Sequence, residues 1–284
     1  AGIEVWLLDL PSKGENTNSL SSKGLTRIKD PDMPGLMSAE AENLVHLGNT
    51  RDDFHELADC DWVAEAVVER LDVKQDLYHR LNKCCKASAI ITSNTSTIPI
   101  KLLTEGMPHE FCERFAITHF FNPVRFMRLL ELVRGEHTKN DVVDTLAMFS
   151  ELQLGKGVVL CADTPGFLAN RVGVFAIQCA LHNAFDLGLA PTEADAFFGR
   201  PLGFPKTGVF GLYDLIGIDL MVDVVKSLVN ILPANDAFHQ YSAPIDFMTN
   251  MIANGQTGNK NNKGFYRDDG EERQVISLIN GDYI

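Results

Sequence analysis

The chain has 284 residues, 45% of them hydrophobic and 22% charged, which suits two ordinary globular domains and excludes a disordered or fibrous chain. Lys and Arg number 25 against 38 Asp and Glu, a formal charge of -13. No cationic face is therefore at hand for a phosphate backbone, and nucleic acid is not an expected partner.

The six cysteines include the adjacent pair Cys84-Cys85 and show no C-x-x-C spacing. They read as buried thiols of a reducing compartment, the cytoplasm, without a disulfide framework or a metal-ligand set. The apolar run from Val209 to Val225 is broken by Asp214, Asp219 and Asp223 before it reaches the roughly 20 residues of a membrane span.

In chain order, Ile3 to Leu10 reads as a strand and lacks the basic start and cleavage pattern of a signal peptide. Pro11 to Gly35, rich in Ser, Asn, Lys, Gly and Pro, reads as a loop, and Ala39 to Leu47 as a helix from its apolar spacing. Strands are predicted over Val63 to Val68, Ala89 to Thr92, Phe115 to Thr118, Leu129 to Val133 and Val158 to Leu160. Helical periods fall between them, over Lys74 to Lys83 and Val142 to Leu152. Such alternation indicates an α/β domain with a largely parallel sheet.

At Asp163-Thr164-Pro165-Gly166 the pattern changes, and the domains are predicted as 1–162 and 163–284, the second all-helical. Arg171 to Leu187 is apolar all round, as in a helix buried between others or in a subunit contact. Pro191 to Asp195 reads as a helix start with Thr192 as cap and Asp195 three residues on. Further helices are predicted over Leu212 to Leu228 and Ile245 to Asn254.

Two features carry chemistry. Asp9 ends the opening strand, where an acid in a dinucleotide fold accepts hydrogen bonds from an adenosine ribose, although most acids at strand ends are turn formers. The glycine fingerprint that would precede it by about 20 residues is expected ahead of residue 1. Glu131 lies within an apolar run twelve residues after His119. A buried acid needs a partner, and a histidine is a natural one: the carboxylate fixes the tautomer and frees the other ring nitrogen to move a proton. Spacing alone leaves open a solvent-facing Glu131 and a satisfied core histidine.

The motifs Ser93-Asn94-Thr95-Ser96-Thr97, His119-Phe120-Phe121-Asn122-Pro123, Glu131, Asp163-Thr164-Pro165-Gly166-Phe167-x-x-Asn170-Arg171 and Gly264-Phe265-Tyr266 resemble, in content and order, the L-3-hydroxyacyl-CoA dehydrogenase family. They look closest to the dehydrogenase part of long bacterial fatty-acid oxidation proteins that join it to an enoyl-CoA hydratase. The resemblance implies a Rossmann-type NAD-binding domain, here without its first strand, followed by an all-α domain. It also implies a homodimer, an acyl-CoA substrate, NAD as cofactor and a fused hydratase domain in the full protein. By the same resemblance His119 is the catalytic histidine and Glu131 its partner, and Ser96 and Asn170 position the substrate oxygen and the histidine. Asp9, Glu69, Lys74, Ser96, Asn122 and Lys260 approach the cofactor, with surface charge as the plainer reading of Glu69, Lys74 and Lys260. Ile279 to Ile284 runs past the usual end of the helical domain and resembles a linker. Two rivals are a related dehydrogenase of a small hydroxy or sugar acid, and an assembly module that is inactive in this form.

An acid at position 9 that accepts both ribose hydroxyls would face a 2′-phosphate with like charge, so NAD should be preferred over NADP by a wide margin. Steady-state turnover with each cofactor, in a protein that includes the glycine loop, checks this; equal rates would refute it.

Overall fold

A computed structural model describes every residue except 1, 33, 204, 205 and 271. The chain forms two compact units, Ala1–Phe167 and Leu168–Ile284. The sequence-based boundary at 162/163 falls earlier. The first unit keeps the intervening turn because Asp163 Oδ2 accepts from the Ile100 N–H at 2.9 Å and Phe167 packs into that unit's core.

The first unit runs β1 (Val5–Asp9), α1 (Ser19–Ile28), β2 (Val45–Asn49), β3 (Trp62–Glu65), α2 (Leu71–Cys84), β4 (Ile90–Ser93), α3 (Ile100–Leu103), α4 (His109–Glu113), β5 (Phe115–Phe120), β6 (Leu129–Arg134), α5 (Asn140–Leu152) and β7 (Gly157–Cys161). Strands β1 and β2 pair in parallel, and a second sheet has the order β3-β4-β5-β6-β7. In that sheet β3, β4 and β5 are mutually parallel and β6 turns antiparallel to β5. In the doubly wound order 3-2-1-4-5-6, β2-β1 corresponds to the 3-2 pair and β3-β4-β5 to the 4-5-6 run. This is a Rossmann-type layout.

Strand residues alternate between faces, and the larger sheet buries both. Ile91, Phe115, Ile117 and Val133 join Tyr78, Leu81 and Phe111 in one core. Ala116 and Leu132 join Val142, Val143 and Leu146 of α5 in the other. Trp62 Nε1 donates to Thr92 Oγ1 at 2.9 Å and its ring meets Phe149 edge-on.

Two early segments differ from the sequence reading. The expected loop contains α1, which buries Ser21 and Leu25 and approaches β1 at Gly24, where a Cβ would lie 3.5 Å from Leu7. The expected helix over Ala39 to Leu47 is a 3₁₀ turn, Ala39–Leu44, followed by β2, whose register matches Val5 with Val45 and Asp9 with Asn49. Pairing with β1 overrode the local periodicity.

The second unit contains α6 (Ala169–Asp186), α7 (Pro191–Phe197), α8 (Phe210–Ile216), α9 (Ile218–Ile231), α10 (Asp246–Ala253) and a hairpin of β8 (Tyr266–Asp268) with β9 (Arg273–Val275). It is thus not purely helical. The single helix expected over Leu212 to Leu228 is broken at Gly217, whose φ of 112° suits glycine. Thr192 does not cap α7: Ala190 stands at the N-cap position without a side-chain cap, and Glu193 Oε2 accepts from its backbone N–H at 2.9 Å. The C-terminal residues are no free linker, since Ile276 bridges Tyr283 and Tyr283 donates to Gly264 O at 2.7 Å. No helix among the described residues is long and apolar enough to cross a membrane.

Helix α2 presents Lys74, Tyr78 and Leu81 on one face, so a lysine occupies a core position. It is held there by Glu65 at the end of β3, whose Oε1 lies 2.7 Å from Lys74 Nζ with both side chains 1% exposed. Tyr78 (2.5 Å) and Ser93 (2.7 Å) donate to Glu65 Oε2, and the Val67 N–H donates to Oε1 at 2.6 Å. One carboxylate thereby ties β3, β4, α2 and the turn after β3 together. Breaking one side of a buried pair leaves an uncompensated charge, so Lys74→Met should cost about 3–5 kcal/mol, read as a lower urea midpoint. The double change Glu65→Gln with Lys74→Met should recover a large part of it; equal losses would show that the charges are not coupled.

Candidate active site

Ligands of open α/β sheets bind beyond the carboxyl ends of the strands. Here β1 ends at Asp9, β3 at Glu65, β4 at Ser93 and β5 at Phe120, and most of the candidate residues of this unit lie at these ends or just past them. A small recess there, about 190 Å³, is lined by Glu65, Asn94, Thr118 and Phe120 among others.

The central pair is created by the reversal from β5 to β6, which sets Glu131 directly opposite His119 in the strand register. His119 Nδ1 is 2.7 Å from Glu131 Oε2, with Glu131 fully buried and His119 8% exposed. A solvent-facing Glu131 is thus excluded. With the carboxylate accepting from Nδ1–H, the imidazole leaves Nε2 outside that bond, and no hydrogen bond engages Nε2 among the described residues. The Cys161 thiol on β7 lies 3.9 Å from the other carboxylate oxygen. Phe121 and Phe167 flank the imidazole, their ring centres 4.6 and 5.8 Å away. Phe167 holds that place from a left-handed backbone, φ 46°, a conformation that costs a bulky residue energy and is found where a site over-determines it.

The segment after β4 is fixed by its own polar side chains. Asn94 Oδ1 accepts from the Phe120 N–H at 2.9 Å, joining the ends of β4 and β5. Thr95 Oγ1 accepts from the Ile98 N–H at 3.1 Å and donates to Glu69 Oε1, which also accepts from Thr97 at 3.0 Å. Ser96 sits half-buried between them and makes no side-chain hydrogen bond among the described residues, to His119 or otherwise.

Glu69 and Lys74 are linked, Nζ to Oε2 at 3.3 Å. Burial works to raise the Glu69 carboxyl, but hydrogen bonds from Thr95 and Thr97 and the Lys74 ammonium outweigh it and hold the group below its usual range. Lys74 is therefore no solvated surface charge. Asp9 is exposed, with Oδ1 accepting from the Leu10 N–H at 2.7 Å. Asn122 is exposed and precedes a cis Pro123.

Asn170 and Lys260 belong to the second unit, Asn170 in the first turn of α6 and Lys260 in an exposed ion pair with Asp219 at 2.6 Å. The residues that sequence reasoning missed are Glu65, Thr95 and Phe167. Glu65 had a usable signal, an acid at a strand end nine residues before a lysine on the inward face of a helix.

The chain is similar to known proteins over most of its length. Residues 1–164 match the family profile described as 3-hydroxyacyl-CoA dehydrogenase, NAD binding domain, and residues 166–268 match its C-terminal domain. A Deinococcus radiodurans protein named a probable 3-hydroxyacyl-CoA dehydrogenase is 38% identical over 96% of this chain and 78% of its own length. A Rickettsia prowazekii protein named as a fatty acid oxidation complex trifunctional enzyme is 38% identical over 93% of this chain, which spans only 37% of that relative's length. Among solved structures, the 3-hydroxybutyryl-CoA dehydrogenase of Escherichia coli superposes with a TM-score of 0.76 at 30% identity, covering 96% of this chain and 56% of that one. The chain belongs to the 3-hydroxyacyl-CoA dehydrogenase family.

Proposed function

We propose that the protein oxidises a (3S)-3-hydroxyacyl-CoA to the 3-oxoacyl-CoA, reversibly and with NAD, as a step of fatty-acid β-oxidation in the cytoplasm. The observation that carries this reading is the buried His119–Glu131 pair with its uncommitted Nε2. His119 Nε2 takes the proton of the substrate 3-hydroxyl, and Glu131 stabilises the imidazolium that forms. NAD, when bound, supplies the acceptor for the hydride that leaves C3.

The residues present fit such a cofactor in part. Asp9 offers an exposed carboxylate at a strand end to the adenosine ribose, and Glu69, held ionised by two threonines, offers an acceptor at the next strand ends. Asn122 and Lys260 would complete the contacts, while Lys74 acts through Glu69, which it orients from inside. Ser96 and Asn170 would position the substrate oxygen. We further propose, from the broad apolar character of α6, a homodimer formed through residues 163–284, and a fused hydratase domain in a longer protein. Sedimentation at the mass of a single 31.4 kDa chain at high concentration would count against the pairing.

The test is NADH consumption with acetoacetyl-CoA in a protein that includes the glycine loop. His119→Gln should leave NADH affinity nearly intact and lower turnover by roughly 10²–10⁴-fold. Glu131→Gln should lower turnover as well, because an amide cannot stabilise the imidazolium and favours the wrong tautomer. The double variant should lose clearly less than the product of the two effects. Substitution of His137, which contacts the His109 ring, should do neither. Near-normal turnover in His119→Gln would refute the mechanism.

A further inference from the structure

We propose that Lys156 is a positioning residue for the acid-base pair: from just before β7 its ammonium holds the loop that joins His119 to Glu131, and with it the Phe121 ring that packs on the imidazole. The effect on turnover rests on the dehydrogenase reading. The contact itself does not, and all of it lies within the first unit.

The loop runs over residues 121–128, between β5 and β6, so each of its ends feeds a strand that carries one half of the pair. Its own turn is short: the Phe126 and Met127 N–H groups both donate to Pro123 O at 3.0 Å. A second hold comes from the chain at the start of β7, where the Gly157 N–H donates to Arg128 O at 2.8 Å and Lys156 Nζ donates to Val124 O and, at 2.8 Å, to Met127 O. One ammonium thus clasps the turn at two of its carbonyls. Arg125 adds an exposed tie, to Pro34 O and Leu36 O.

A lysine is a costly way to fill this place. Lys156 is only 8% exposed, no carboxylate pairs with it among the described residues, and burial holds its ammonium below the usual range. Two carbonyl oxygens and the face of Phe120, its ring centre 5.8 Å from Nζ, are set against the charge. Lys74, also buried, differs, because the Glu65 carboxylate meets it directly. An apolar side chain would fill the place of Lys156 without the desolvation, so what the ammonium contributes is the shape of the loop. That shape bears on the chemistry through Phe121, whose ring stands edge-on to His119 with centres 4.6 Å apart, and through the neighbouring Asn122. Successive strand residues face opposite ways, and Phe120 meets the lysine while His119 meets Glu131, so Lys156 acts through the loop rather than on the imidazole itself.

The first measurement needs no turnover. Histidine ring-proton signals are recorded by NMR on the 284-residue chain, that of His119 being assigned by its absence in His119→Gln. Lys156→Met keeps the apolar stem and removes the ammonium, and should move the His119 signal by more than its linewidth. Lys156→Arg, whose guanidinium can still donate to both carbonyls, should keep it near the wild-type position. Far-ultraviolet dichroism checks folding, and Lys156→Gln takes the place of Lys156→Met if the latter does not fold. The second measurement is NADH consumption with acetoacetyl-CoA in a protein that includes the glycine loop. There Lys156→Met should lower kcat about tenfold or more, with the KM for acetoacetyl-CoA changed less than about twofold, while Lys156→Arg recovers most of the rate and the exposed Lys226→Met on α9 changes neither constant. A wild type without turnover defeats the dehydrogenase reading and leaves the NMR comparison to judge the lysine. With an active wild type, an unmoved His119 signal or an unchanged kcat in Lys156→Met overturns the positioning role. An equal loss in Lys156→Arg overturns it too, since that marks a defect of packing rather than of donated hydrogen bonds.

Discussion

A carboxylate in the middle of a sheet is tolerable only if another group meets its charge, and the strand reversal between β5 and β6 exists in this molecule with that demand answered across it. Glu131 has no exposed surface, and its oxygen sits 2.7 Å from the ring nitrogen of the residue opposite in the ladder. Because the pair is cross-strand, the sheet's own hydrogen bonds fix its distance and orientation. The histidine is therefore presented by a rigid element, with its second nitrogen directed by the first, which is the arrangement that a positioned acid-base group requires.

The same logic recurs at Glu65, with a different result. That carboxylate collects a lysine, a tyrosine, a serine and a backbone N–H, and by doing so binds the carboxyl ends of β3 and β4 to helix α2. Glu69, one turn of chain away, shares the lysine but keeps part of its surface in solvent. Two acids four residues apart thus divide the work: the inner one builds the edge of the sheet, and the outer one, oriented by Thr95 and Thr97, remains free to meet a ligand.

Much of this was legible in the sequence because the strongest signals are those of burial. The five strands of the larger sheet and the helices α2 and α5 lie where period and β-branching put them, with ends shifted by a few residues. The His119–Glu131 pair was legible as a demand, an acid in an apolar run, before it was visible as a contact. What failed were segments whose structure is imposed from elsewhere. Helix α1 is polar and packs through little more than Leu25, Ser21 and a glycine, so composition made it a loop. Strand β2 is short and takes its conformation from β1. Asp195 looked like part of a local cap, yet its partners are fifteen, sixteen and 71 residues away, which no local pattern encodes. The Ile218 N–H, just past the break at Gly217, donates to Thr257 O at 3.1 Å, and Tyr283 returns onto Gly264, contacts that are likewise long-range.

The chain's two tryptophans fall in one unit, Trp6 on β1 beside His46 and Trp62 on β3 against Phe149. Each reports on a different sheet, and neither belongs to the second unit, whose aromatic core is built from Phe210, Tyr213, Phe238 and Phe265. Indole emission from this protein is consequently a local instrument. It follows the loosening of the nucleotide-fold half directly, while the second unit holds no indole of its own and its unfolding needs a separate probe.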